Sequence, residues 1–334
     1  MTPDRLPAPA LAALLSAVTL ALLLASLVVG YAAIPMGDAV AALFGIGDPL
    51  EVTVMQQIRL PRAALAAMVG ASLGLSGAAM QGFLRNPLAE PGLIGVSGAA
   101  ALGAVLALQT GLVAAFALAL PLTALLFAMG AVGVLLMLAG PRGGSLTLIL
   151  AGIAVSALAG ALTALVLNLS PNPYATAEIV FWMMGSVSDR SLSHVALAAP
   201  VMVLGWAALL TLGRGLDALT LGEDAAEALG VSLVRLRLTL LFGTAAAVGA
   251  ATAVAGAIGF VGLVVPHLLR PLTGARPSTL LWASALGGAA MVLAADIAVR
   301  VILPARDLKL GVVMALIGAP LFLHLIWRTR SEGA

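Results

Sequence analysis

The chain has 334 residues, of which 62% are hydrophobic, 37 are glycine and only 9% are charged, against about 25% charged in soluble domains. That composition excludes a water-soluble globular fold and requires lipid as the solvent for most side chains. Sixteen basic against 14 acidic residues leave a net charge of +2, too even a balance for a nucleic-acid binder. Absence of cysteine removes disulfides, thiolate metal sites and thiol catalysis. At about 20 residues per crossing plus loops, the length has room for about nine to eleven helices.

Uncharged runs place candidate spans near 9–30, 63–83, 92–108, 112–139, 146–168, 194–212, 238–269, 279–299 and 310–327. The first reads as a retained helix and not a leader, because only Arg5 precedes it and its apolar stretch exceeds the roughly 7–15 residues of a leader core. Residues 238–269 are too long for one upright crossing and too short for two full ones. Glycines punctuate them, and a turn near Ala255-Gly256 would give one full and one short helix.

Arginine placement weighs the two options, since cytoplasmic loops carry the excess of basic residues. With two crossings in 238–269, Arg5, Arg85, Arg142, Arg214, Arg235, Arg237, Arg270, Arg276, Arg328 and Arg330 lie inside, ten against six outside; one crossing gives nine against seven. The rule narrowly favours two. Segments 31–62 and 169–193 then lie outside, and 213–237 is the largest inner loop. Small residues crowd the spans, as in Gly70-Ala71-Ser72, Gly74 and Gly287-Gly288. They let helices approach closely in lipid, although an alanine-rich genome gives a similar composition.

Several constellations stand out in chain order. Arg59-Leu60-Pro61-Arg62 opens the second span and puts two cations on one helical face at the outer surface. An anionic partner outside explains them, and so would snorkelling at a helix end. Next comes the stretch from Gln81 to Gly92, where Pro87 and Pro91 stop the helix, Gly82 and Gly92 permit re-entry, and Asn86 can satisfy freed backbone groups. This is a fixed inner corner, with Glu90 inside it. Trp182, Met183 and Met184 offer an aromatic and two thioethers to a large apolar ligand, or an ordinary interfacial tryptophan. Asp296 lies four residues before Arg300, the spacing of an intrahelical pair. His194, His267 and His324 are scattered, without metal-ligand spacing. A P-loop needs Gly-Lys-Ser/Thr, and the one lysine, Lys309, sits between two leucines, so the chain is no P-loop ATPase.

Taken together, these words resemble the FecCD-type permeases of type II ABC importers. The resemblance rests on Arg59-Leu60-Pro61-Arg62, Gly70 to Gly77, Asn86 to Pro91, Phe181 to Gly185, Leu221 to Gly230, the stretch Gly256 to His267, Ala295-Asp296 with Arg300, and Leu316 to Pro320. It implies an all-α membrane protein, one permease domain over 1–334 with ten transmembrane helices, both termini cytoplasmic, and a homodimer with its pore on the dimer axis.

The resemblance also assigns roles. The inner loop of about 213–237 becomes a coupling helix seated on a separate ATPase, through Leu221, Gly222, Glu223, Asp224, Ala225, Glu227, Leu229 and Gly230. By spacing, Leu221, Ala225, Ala228 and Leu229 share one face while the acids project elsewhere. Arg59, Arg62 and Arg300 match arginines that dock a periplasmic binding protein, a task suited to the guanidinium fork. Trp182, Met183 and Met184 become candidates for the translocation path. Asn86, Pro87, Glu90, Pro91, Ser145 and Thr147 become candidates for the inner corner and gate. The implied partners are a second copy, two ATPase subunits that use ATP and Mg, the binding protein, membrane lipid and a metal-chelate substrate. No cofactor or metal is held by the chain itself.

Iron-siderophore or haem leads as substrate, with cobalamin as the alternative and the inner membrane as the location. An ion-coupled carrier is the rival of another class, but it needs ionisable groups near mid-span, where Asp296 is the one carboxylate. One departure from the family pattern is Asp307-Leu308-Lys309-Leu310 before the last span, where a Glu-Leu-Pro is usual. With Arg306 it enriches the outer face in cations.

Overall fold

A computed structural model describes residues 7–302 and 308–332 except 31, 117, 141 and 142, with side chains to 323. Arg5, Arg142, Arg306 and Asp307, and the side chains of His324, Arg328 and Arg330, lie outside the described residues. All regular structure described is helical.

The chain opens with α1 (Ala8–Val28), α2 (Met36–Leu43), α3 (Pro49–Thr53), a π-helical turn Val54–Arg59 and α4 (Leu60–Leu84). The outer segment 31–62 is therefore no simple loop. From Pro49 to Leu84 the chain is one helical run of 36 residues, so Arg59 and Arg62 sit inside it and do not open it. The π turn has a chemical cause: Pro61 has no N–H to donate to the preceding turn, and the N–H of Leu60 reaches back five residues to Met55 O.

A 3-10 turn Pro91–Ile94 leads to α5 (Val96–Gln109), α6 (Leu112–Ala115), α7 (Ala119–Ala139), α8 (Ser145–Asn168), α9 (Pro173–Met183) and α10 (Leu192–Thr211). Residues 112–139 are thus two helices, parted where Phe116 turns extended. The inner loop holds α11 (Gly213–Leu219) and α12 (Glu223–Ala228), and α13 (Leu233–Ala255), α14 (Val261–Leu269), α15 (Pro277–Ile302) and α16 (Leu310–Glu332) complete the chain. The long uncharged run breaks at Gly256, as its glycines suggest. Gly256 has φ 71 and Phe260 φ 67, and the residues between are not helical. The long helix starts earlier than the uncharged run, at Leu233, because Ser232 caps it by accepting the N–H of Arg235.

Seven of these helical runs are long and apolar enough to cross a membrane, and α5 and α16 supply shorter apolar helices. Packing is uneven among them. The central windows of Pro49–Leu84 and of α13 are 78% buried, whereas that of α8 is 28% buried. The first two form the centre, and α8 lies at the edge with most of its surface open. In the centre α4 and α15 approach without side chains between them: a Cβ on Gly74 would overlap the carbonyl of Ser284, and one on Gly70 that of Gly288. Such approach maximises dispersion contact, which must hold helices together in lipid. Trp206 Nε1 on α10 donates to Ser72 Oγ on α4 at 2.8 Å, and Thr19 on α1 donates to Leu286 O on α15 at 3.1 Å.

Candidate functional site

The outer arginines form one cluster. Asp296 on α15 accepts from Arg62 Nε at 3.0 and 3.2 Å and pairs with Arg62 Nη2 at 2.9 Å and Arg300 Nη2 at 2.9 Å. The intrahelical pair expected from spacing is thus present, and Arg62 joins it from α4. Helix α1 ends here, where its last carbonyls have no intrahelical donor. Arg59 Nη1 donates to Leu27 O at 2.9 Å and Val28 O at 2.8 Å, and its Nη2 to Ala32 O. Arg300 Nη1 donates to Ser26 O at 2.9 Å and Val29 O at 2.6 Å, and its Nη2 to Ser26 Oγ at 2.6 Å. Arg59 and Arg300 are buried, and Arg62 is the most open of the three. All three line a cavity of about 180 Å³ with Gly30, Ala32 and Ile58. Sequence reasoning missed Ser26, which carries no motif.

The pathway candidates separate. Met183, at the end of α9, lines a cavity of about 260 Å³ with Gly98 and Ala101 of α5 and Ser156, Gly160 and Thr163 of α8. Trp182 instead packs against the buried core, and Met184 is exposed. Lys309 lies over the ring of Phe181, 5.8 Å from its centroid, tying the departure before α16 to the end of α9.

At the inner corner the positive φ values fall on Arg85 (φ 50) and Gly95 (φ 76), and not on Gly82 or Gly92, so the re-entry expected from those two glycines is made by other residues. Asn86 Oδ1 accepts the N–H of Leu88 at 2.9 Å, a local turn bond. Pro91 then starts the 3-10 turn, which packs on α8 where a Cβ on Gly152 would overlap Leu93 O. Ser145 opens α8 and Thr147 is exposed there; the contact between corner and α8 is further along, at Gly152 and at Ser156, whose Oγ lies 3.4 Å from Gly92 O.

Glu90 Oε1 accepts the N–H of Phe260 at 2.9 Å, so one carboxylate joins the corner to the break between α13 and α14. Gln81 stitches the same region, donating to Gly262 O and Leu263 O and accepting from Arg270 at 2.7 Å. Glu90→Ala leaves the Phe260 N–H without its acceptor and is expected to cost about 1–3 kcal/mol, read as a lower midpoint in thermal denaturation of the purified protein.

In the inner loop, Gly222 (φ 106) and Gly230 (φ 84) bracket α12. Leu221 and Leu229 are 69% and 65% exposed, and Ala226 is buried. The inward side is thus Ala226, and both leucines face water beside Glu223, Asp224 and Glu227. Arg85 at the corner approaches Glu223 at 3.8 Å. Asp217 on α11 was not singled out by the sequence. It accepts the Ser278 N–H at 2.8 Å, the Ser278 hydroxyl at 2.7 Å and Arg276 Nε at 2.8 Å. Burial alone would raise its pKa; the bonds from Ser278 and the charge of Arg276 outweigh this and hold it below the usual aspartate range.

A bundle of apolar helices with close small-residue packing, a charged cluster on α4 and α15 and exposed leucines flanking a short loop helix defines a multi-pass membrane protein. Residues 18–328 match the FecCD transport family, and the chain belongs to it. It is therefore an inner-membrane permease of the ABC-importer kind. It is 39% identical over 301 residues to the cobalamin import system permease protein BtuC of Halobacterium salinarum, covering 88% of this chain and 78% of that one. It is 38% identical over 291 residues to the hemin transport system permease protein HmuU of Yersinia pestis, covering 82% and 83%. Among solved structures, an inward-facing putative metal-chelate type ABC transporter superposes with a TM-score of 0.83 at 34% identity, covering 94% of this chain and 97% of that one.

Proposed function

We propose that the protein carries iron chelates, ferric siderophore or haem, from periplasm to cytoplasm as a homodimer driven by two ATPase subunits that bind ATP and Mg. The observation that carries this reading is α12: a glycine-bracketed helix flanked by two leucines, Leu221 and Leu229, that stand exposed beside three acids. Exposed leucines cost free energy in water and gain it in a partner's groove. We read the seven long spans together with α5, α14 and α16 as ten crossing elements, with both termini cytoplasmic in accord with the excess of basic residues in the inner loops. A periplasmic binding protein docks at Arg59, Arg62 and Arg300, where three guanidiniums against one carboxylate leave a surplus of positive charge for its acidic residues. Met183 and the small residues opposite it line the path, and the corner from Asn86 to Pro91 leads into the turn that packs on α8 at Gly152. The hemin relative and the metal-chelate neighbour favour iron chelates. Cobalamin is the second reading, favoured by the relative of that name.

Gly230→Arg puts bulk and charge on a left-handed residue at the edge of α12. In proteoliposomes with the ATPase subunits, it is expected to cut permease-stimulated ATP hydrolysis by at least about tenfold; unchanged stimulation overturns the assignment. Uptake that survives ATP depletion and collapses with the proton gradient would instead identify an ion-coupled carrier. Titrating the cognate receptor with haem, ferric siderophores and cobalamin decides among the substrates.

A further inference from the structure

A short helix on a loop can deliver motion only if something fastens it to the bundle. Helix α12 is itself anchored in the core by one buried residue, Ala226. Its contact with the corner is the Arg85–Glu223 pair at 3.8 Å with both side chains about half exposed, a pair worth about 0–1 kcal/mol at most. Residues 220 and 221 before it form a turn. Helix α11, just upstream, is fixed. Leu216 and Leu219 are buried, and both oxygens of Asp217 are engaged by the start of α15. Oδ1 accepts the Ser278 N–H, while Oδ2 accepts the Ser278 hydroxyl and Arg276 Nε, all within 2.8 Å. The acceptor comes from 61 residues away in sequence, so this is a bond between two elements and not a local cap. A carboxylate at a helix N-terminus is further favoured by the helix dipole.

Helix α15 is suited to carry what it receives. Its 26 residues extend about 39 Å at 1.5 Å each without an internal proline. It lies against α4 backbone to backbone at Gly70 and Gly74, and its far end bears Asp296 and Arg300. One stiff helix therefore joins the inner loop to the arginine cluster.

We infer that Asp217 is a positioning residue for energy coupling, fastening the ATPase-facing loop to α15 so that movement of α12 reaches the outer arginine cluster. The inference rests on the reading of α12 as the ATPase contact.

The native chain has no cysteine, so a single Val301→Cys, at an exposed site on the outer end of α15, can carry a nitroxide. The full complex with its ATPase subunits is reconstituted in nanodiscs and trapped with ATP, Mg and vanadate. Label mobility, ATPase association and hydrolysis rate are then measured together. With native Asp217, trapping is expected to change the label's mobility. In Asp217→Ala that change is expected to fall by about tenfold, with association and hydrolysis retained. Asp217→Asn, which keeps an acceptor for the Ser278 N–H but loses the ion pair, is expected to fall between. Should Asp217→Ala not fold, Asp217→Asn and Ser278→Ala read the same link. A full response in these variants overturns the inference, as does loss of ATPase association in them, which would make Asp217 a shaper of the docking surface. An absent response at position 301 in the native background also overturns it. Failure of the native permease to bind the ATPase at all refutes the underlying reading of α12 instead, and is seen in the association measurement alone.

Discussion

Replacing Asp296 with alanine is expected to destabilise the protein by about 3–5 kcal/mol, the cost of stranding a buried charge whose partner is removed. Asp296 is 1% exposed and serves two guanidiniums, each at 2.9 Å. Without it Arg62 and Arg300 face one another in a site that water reaches poorly, and Arg300 can no longer be held against Ser26 and Val29. The loss is read in chemical or thermal denaturation of the purified permease. A triple variant, Asp296→Leu with Arg62→Met and Arg300→Met, separates the charge effect from the volume effect. It is expected to recover the part due to the stranded charge, while the loss of the Arg300 bonds to Ser26 O and Val29 O remains. Equal loss in both proteins would show that packing alone, and not the stranded charge, sets the cost.

The second large effect is expected at Gly74. Valine there places a Cβ onto the carbonyl oxygen of Ser284, a backbone atom of a helix that cannot rotate away. Helices α4 and α15 must then separate, with the loss of dispersion contacts along their whole seam, for about 3 kcal/mol or more. Gly133→Ala on α7 is the control. Nothing lies within 4 Å of a Cβ there, so adding one in mid-helix is expected to be neutral or to gain up to about 1 kcal/mol of helix propensity. Midpoints of thermal denaturation of the two variants, measured side by side, check the contrast.

These two sites also show what a sequence makes visible. The seam of α4 was legible because small residues at helical spacing have few uses in lipid other than close approach, although nothing in the chain named α15 as the partner. The break at Gly256 was legible for a related reason: an uncharged run too long for one crossing needs a residue that tolerates positive φ. The helical extension from 62 back to Pro49 was not legible because Asp48, Glu51 and Arg59 interrupt the hydrophobic run, whereas a helix stays helical beyond the lipid when its polar groups find partners. Arg59 found them in the carbonyls of α1, which no spacing rule could announce. At α12 the face was drawn as an ideal wheel, yet the helix has only six residues. Its flanking leucines lie outside it, and the glycines before and after decide where they point. Asp217 was silent because its meaning is wholly tertiary: an acid in a polar loop has no visible purpose until the start of α15 arrives beside it.

The bonds from Arg59 and Arg300 to the end of α1 have a consequence for how the chain is made. Residue 26 leaves the ribosome long before residue 300, and the hydrogen bonds that join them close a separation of 274 residues. Arg59 is made early and can take Leu27 O and Val28 O, whereas the donor for Ser26 O and Val29 O arrives only with α15. Only the fifteenth helix can finish the outer end of the first. A chain that lacks α15 therefore leaves two carbonyls at the outer end of α1 without their protein donor.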